Sequence, residues 1–246
     1  DTSNTSQGYV MVKYNGTNEK VKLQITCPDQ SCYTYLISDR GAYDTFPLTA
    51  GNGSYALQVL ENVAGDTYTV SLAQSINVSI EDEFLPFLYP NQYVNFHTDS
   101  KAVSKGSDLA KDTYSDLDVV QNIYNYVIKN ISYDTEKAQN VSYGYVPDID
   151  DTLSSKKGIC FDYAALMTSM LRSQNIPTKL EVGYSGDAYH AWISTYIDDK
   201  GWVDDIIQFN GNTWQIMDPT LAATNDSAAV KKYVGDGSHY VVKYTY

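Results

Sequence analysis

"KKGICFDYAALMTSML", Lys156 to Leu171, decides how the second half of the chain is read. Cys160, Ala164, Met167 and Leu171 fall at i, i+4, i+7 and i+11, the spacing of one apolar helix stripe, and Pro177 marks where that helix has already stopped. The helix therefore opens at Cys160, after two lysines, a glycine and an isoleucine. A thiol placed there lies beside unpaired backbone N–H groups and the positive end of the helix dipole, which favour the thiolate, and Lys156 and Lys157 add positive potential. Free cysteines are more often inert core residues, so position alone leaves two readings of Cys160, nucleophile or small buried side chain.

Upstream, the pattern is helical from Ser115. Val120, Ile123, Tyr124, Val127 and Ile128 share one stripe behind a Ser115-x-x-Asp118 capping signature. Between the two helices runs a polar, Tyr-rich stretch, "SYDTEKAQNVSYGYVPDIDDTLSSKKG", expected to be a long loop covering a site. Its acidic run, Asp148, Asp150 and Asp151, lacks the loop spacing of a calcium-binding hand and reads as solvated.

Downstream, strands return in "TKLEVGY", "HAWISTYI", "TWQIMDPT" and "HYVVKYTY". Strand parity puts His190, Trp192 and Ser194 on one face, and Trp214, Ile216 and Asp218 on one face. If the two strands pair antiparallel with 192 opposite 216, His190 falls opposite Asp218. Facing Cβ atoms are roughly 4.5 to 5.5 Å apart, close enough for a carboxylate to accept the imidazole N–H and fix its tautomer. A histidine on a half-buried strand and an aspartate before proline also have ordinary structural uses.

The strings "GICFDYA", "HAW" and "WQIMDPT", in the order Cys, His, Asp, resemble the transglutaminase-like superfamily, whose bacterial members show a G-x-C-x-x-x-A, H-A-W and D-P-T set. The resemblance covers residues 115–222. It implies an α+β papain-like core, a cysteine on a helix packed against an antiparallel sheet, and an acyl-transfer or hydrolytic enzyme acting on protein or peptide amides. It assigns Cys160 as nucleophile, His190 as general base and acid, and Asp218 as the orienting carboxylate. The backbone N–H of Cys160 is the first oxyanion donor. The resemblance places a second donor on a side chain upstream of the nucleophile, for which Tyr143 and Tyr145 are candidates. Trp192, lining the cleft, is expected to pack on the sheet and shield His190 from water. No cofactor and no metal is called for, calcium dependence belonging to the animal branch. One departure is "DDKGWVDDIIQFNGN", which lengthens the His-to-Asp connection and offers Trp202 as a competing strand anchor.

Residues 8–96 read differently. "YVMVKY", "KVKLQIT", "CYTYLIS", "SYALQVLENV" and "DTYTVSLAQSINVSI" alternate apolar and polar residues between turn signals, which predicts an all-β, immunoglobulin-like (Ig-like) sandwich. The expected domains are therefore 1–97, a β-sandwich of binding or spacer type, and 98–246, a transglutaminase-like catalytic domain. "CPDQSC" sets Cys27 and Cys32 across a Pro-Asp turn, as a disulfide or as two free thiols. Zinc is disfavoured for want of further ligands.

Composition bounds the partners. A net charge of −13 without a basic patch disfavours nucleic acid. No apolar run approaches the ~18 residues of a membrane span. Acidity, 23 tyrosines and many Asn, Ser and Thr residues suit an exported protein, extracellular or cell-surface, with its leader or anchor removed. The expected partner is a protein or peptide substrate, in a cell-wall setting, met by a monomer. The alternative from another class is a non-catalytic surface-binding or scaffolding protein whose triad is vestigial or occluded.

Overall fold

The structure is a computed structural model; it describes residues 1–37, 41–198, 200–203, 207–209, 214–216 and 240–246. The chain divides into two compact units, Asp1–Pro86 and Phe87–Tyr246.

The first unit is all-β. It contains β1 (Tyr9–Val12), β2 (Val21–Thr26), β3 (Cys32–Ile37), β4 (Asp44–Pro47), β5 (Gly53–Ala64) and β6 (Thr67–Val78). Four strands form an antiparallel sheet in the order β3-β2-β5-β6, and β1 pairs with β4 as a separate ribbon. Period-two patterning decides which face is covered. Val21, Leu23 and Ile25 of β2, Tyr33, Tyr35 and Ile37 of β3, and Tyr55, Leu57 and Val59 of β5 are all buried. Phe46 of the ribbon is buried too and meets Tyr35 edge-on at 4.8 Å. Each such burial stabilises by about 1.5–3 kcal/mol, more than the ~1 kcal/mol span of strand propensity, so patterning dominates. The all-β reading of this unit stands, and its observed order is a four-strand sheet with a ribbon; that order alone does not define an immunoglobulin-like sandwich.

Cys27 and Cys32 are both free thiols. Their register explains why. Cys32 stands opposite Thr26, while the Cys27 N–H bonds the Ser31 carbonyl, so the two cysteines are one residue out of step. Successive strand residues point to opposite faces: Cys27 is buried and Cys32 exposed. The disulfide alternative is set aside in favour of two thiols.

The second unit begins earlier than residue 97, because the segment after Pro86 is committed to it. Tyr93 contacts the rings of Phe161 and Tyr246, Val94 is buried, and the Tyr89 carbonyl accepts from Arg172. Its elements are α1 (Lys101–Ala110), α2 (Asp116–Asn130), β7 (Ser132–Tyr133), α3 (Thr135–Asn140), α4 (Ile149–Ser155), β8 (Lys157–Gly158), α5 (Cys160–Arg172), β9 (Thr178–Ser185), β10 (Ala188–Ile197), β11 (Gly201–Val203), β12 (Ile207–Phe209), β13 (Trp214–Ile216) and β14 (Tyr240–Thr245). The main antiparallel sheet has the order β11-β10-β9-β14. Helix α5 is its hub: every residue from Asp162 to Arg172 is buried, against α1, α2 and α4 and against β9 and β10.

Two expectations are corrected here. The Tyr-rich stretch is not one long loop, since α3 and α4 lie within it. Asp134 caps α3 by accepting from Lys137 N, and Asp148 caps α4 by accepting from Asp150 N and Asp151 N. Nor is Asp150 merely solvated. Its carboxylate accepts from the backbone N–H groups of Lys101 and Ala102, which satisfies the start of α1, where Ser100 provides no side-chain cap. Helix α1 itself escaped sequence reading because Gly106 weakens its pattern. That glycine is what lets it approach α5: a Cβ there would stand 3.1 Å from the Met170 carbonyl oxygen.

Candidate active site

The turn from Gly158 to Asp162 presents the thiol. Ile159 has extended backbone (φ −91°, ψ 175°), and Cys160 is the first helical residue of α5, half-buried. Isoleucine has no acceptor, so the helix start is capped from inside. Asp162 turns back and its Oδ2 accepts from the Ile159 N–H at 2.8 Å. Gly158 makes room for this return: a Cβ on it would meet the Asp162 Cβ at 2.7 Å. The glycine two residues before the cysteine and the aspartate two residues after it are thus a single steric requirement.

Asp162 is fully buried and would carry an isolated charge were it not for the segment expected to be a loop. Lys137 of α3 places its Nζ 2.8 Å from Asp162 Oδ2, and the Tyr145 hydroxyl donates to Asp162 Oδ1. Lys137 also donates to the Tyr145 oxygen at 2.6 Å and sits over the tyrosine ring, 4.5 Å from its centroid. Burial first, then the hydrogen bond to Asp162, hold the Tyr145 phenol far above its ordinary value. Parallel pairing of β7 with β8 brings α3 here, Tyr133 opposite Gly158 and Asp134 N bonded to the Gly158 carbonyl.

His190 sits on β10, opposite Gly183 of β9, and is 1% exposed. Its ring lies 6.1 Å from Trp192, interplanar angle 29°, and 6.5 Å from Tyr240 of β14. Trp192, 1% exposed, meets Tyr240 edge-on at 4.8 Å. Gly183 is again a matter of close approach. β14 bulges between Val242 and Tyr244, and a Cβ on Gly183 would stand 2.0 Å from the Val241 carbonyl oxygen. On the strand face of His190, the buried Glu181 accepts from the buried Ser194 hydroxyl at 2.6 Å.

The thiol and the imidazole therefore ride on elements packed against each other, α5 and β10. Tyr189, beside His190 in sequence, registers the thiol: partial burial first, then Tyr244, Tyr184 and Cys160, raise its phenol above the ordinary value.

The remaining sequence candidates fare unevenly. Asp218 lies outside the described residues. Among the described residues, Trp214 and Ile216 of β13 stand opposite Phe209 and Ile207 of β12, and Thr195–Ile197 of β10 pair with β11, Tyr196 opposite Trp202. Trp202 took the anchoring position, between Tyr196 and Phe87 and under the Lys179 ammonium at 3.8 Å. Tyr143 is 80% exposed. Tyr145 spends its single hydroxyl proton on Asp162, so as arranged it has none to offer an oxyanion. Lys137 and the full role of Asp162 were missed, because the stretch that holds Lys137 and Tyr145 reads in sequence as a loop.

A half-buried cysteine opening a central helix, packed against an antiparallel sheet that carries a buried histidine, defines a papain-like α+β domain. Residues 104–204 match the family model described as Transglutaminase-like superfamily. UPF0252 protein MJ1282 of Methanocaldococcus jannaschii is 30% identical over 118 residues, 42% of this chain and 34% of that protein. Kyphoscoliosis peptidase of Mus musculus is 30% identical over 107 residues, 38% of this chain and 16% of that protein. The chain thus matches well under half the length of either relative. A solved structure described as a candidate cysteine protease from Cytophaga hutchinsonii aligns over 86% of this chain and 71% of its own, with TM-score 0.42 and 16% identity.

Proposed function

We propose that the chain is a cysteine-dependent enzyme that acts on protein or peptide amides through a thioacyl intermediate at Cys160, hydrolysis being favoured over cross-linking. The observation that carries this reading is Cys160 itself, half-buried at the first position of a helix whose cap is built by Asp162 rather than by a side chain in front of the thiol. The backbone N–H of Cys160, at the first position of that helix, is the proposed oxyanion donor. In the proposed cycle, the Cys160 sulfur attacks the amide carbonyl carbon and the C=O electron pair moves onto oxygen. Collapse expels the amine, which takes the proton held by His190. A water molecule then gives a proton to His190, attacks the thioester and releases the thiolate. Asp218 is the proposed orienting carboxylate, and Trp192 keeps water from the imidazole. The protein acts as an exported or cell-surface monomer on a protein or peptide substrate.

The test is the rate of Cys160 alkylation by iodoacetamide, read peptide by peptide in a mass spectrometer, for wild type, His190→Ala and Asp218→Ala. Fast alkylation at neutral pH that slows at least tenfold in His190→Ala supports the enzyme. Slow alkylation indifferent to both substitutions would leave a binding or scaffolding module instead.

A further inference from the structure

Lys137, Asp162 and Tyr145 have no part in the proposed chemical steps, yet they are bonded to one another and to the backbone at the start of α5. Asp162 is wholly removed from solvent and lies two residues from Cys160. An uncompensated carboxylate there would oppose a thiolate two residues away and would itself be costly to bury. Three donors from three places meet it: the Ile159 N–H, the Lys137 ammonium and the Tyr145 hydroxyl. Two of these belong to residues 135–145, which the helix could cap itself without. Lys137 is 28% exposed at its side chain, so its charge reaches the buried carboxylate from the edge of the domain.

We propose that Lys137 is a positioning residue for Cys160, acting through Asp162: it neutralises the buried carboxylate, and with Tyr145 it locks the Asp162 side chain onto the Ile159 N–H, so that the positive end of α5 is left for the thiol. The segment from α3 to Tyr145 is then part of the nucleophile's activation and not a cover over it. This rests on the reading of Cys160 as nucleophile. Other titratable groups belong to the same region: Lys156 and Lys157 precede α5 in the chain, and Tyr189 and His190 lie on β10, which packs against α5. They are unchanged in every variant below, so their titration is common to all.

The experiment measures site-resolved iodoacetamide alkylation of Cys160 at pH 7 and pH 9.5 in wild type, Lys137→Met, Lys137→Gln, Lys137→Arg and the double variant Lys137→Met with Asp162→Asn. Removing the charge is expected to slow alkylation at pH 7 by about tenfold, with most of the rate regained at pH 9.5. Gln keeps a donor to Asp162 without the charge, and is expected to be as slow as Met. Arg is expected to keep the wild-type rate to within about threefold, and the double variant to regain it, since the charge to be neutralised has gone. A merely structural role predicts the opposite for the double variant, which would be impaired at both positions and show no recovery. Wild-type rates in the Gln and Met variants, or a double variant as slow as Lys137→Met, overturn the proposal. If Met does not fold, the Gln and Arg pair decides by the same criteria. Failure of the nucleophile reading is distinguishable, because wild-type Cys160 itself would then alkylate slowly at pH 7.

Discussion

Gly158 and Asp162 occupy one another's space: the position a Gly158 side chain would take is 2.7 Å from the Asp162 Cβ and 3.2 Å from its Oδ2. Both clashing partners lie within the turn that holds the thiol, so neither can yield without moving it. Gly158→Ala is expected to destabilise the domain by about 1–3 kcal/mol, as overpacking generally does, and to slow Cys160 alkylation. Urea denaturation and the alkylation assay check the two halves. Unchanged stability with unchanged reactivity would mean that Asp162 can relocate freely.

Trp192 is the largest side chain fully enclosed beside His190. Trp192→Ala is expected to cost about 3–5 kcal/mol from lost transfer energy and the cavity left behind, and Trp192→Phe distinctly less. Equilibrium denaturation measures both. Equal losses for the two variants would show that the indole N–H, and not ring volume, holds the site.

Tyr163 is buried and donates its hydroxyl to the Ile131 carbonyl at 2.7 Å. Burial holds its phenol far above the ordinary value of about 10. The sign follows from linkage. Below about pH 10 both folded and unfolded states keep this proton, and the group leaves stability independent of pH. Above about pH 10 only the unfolded chain ionises, so stability falls with rising pH by up to about 1.4 kcal/mol per pH unit for this one group. Tyr163→Phe is expected to lose about 1 kcal/mol at neutral pH but to flatten the alkaline slope between about pH 10 and 11.5. Identical slopes for the two proteins would refute the assignment.

The three thiols are expected to titrate separately with a thiol reagent. Cys32, exposed, reacts in the folded protein; Cys27, whose thiol burial pushes up, reacts only on unfolding. Mass spectrometry of the non-reduced protein checks this, a mass two hydrogens lighter with Cys27 and Cys32 linked being the contrary outcome.

Much of this was legible in the sequence where period and chemistry agreed. Ser115 does accept from Asp118 N, and Val120, Ile123, Tyr124 and Val127 are buried as their spacing demands. Helix α5 opens at Cys160, and β9, β10 and β14 run where alternation put them. What escaped was decided by partners distant in the chain. Gly106 looks like a helix breaker until Met170 is placed against it. Asp150 looks solvated until the start of α1 arrives. The end of β10 pairs with β11, Tyr196 opposite Trp202, and sequence alone gives no measure of which of two tryptophans stands beside it. Lys137 carried no local signal at all, since its meaning lies in a carboxylate 25 residues away.

Arg172 ends α5 fully buried, and it spends its guanidinium on three backbone carbonyls: Thr178 through Nε, Tyr89 and Tyr246 through its two terminal nitrogens. Burial works against the charge, pulling it down to about 9, which still leaves it protonated at neutral pH. These carbonyls belong to the opening stretch of the unit, to its first strand after the helix, and to the residue that follows its last strand. One side chain thus clasps the opening stretch of the unit and the residue after its last strand onto the helix that starts at Cys160, so that helix cannot shift without carrying both with it.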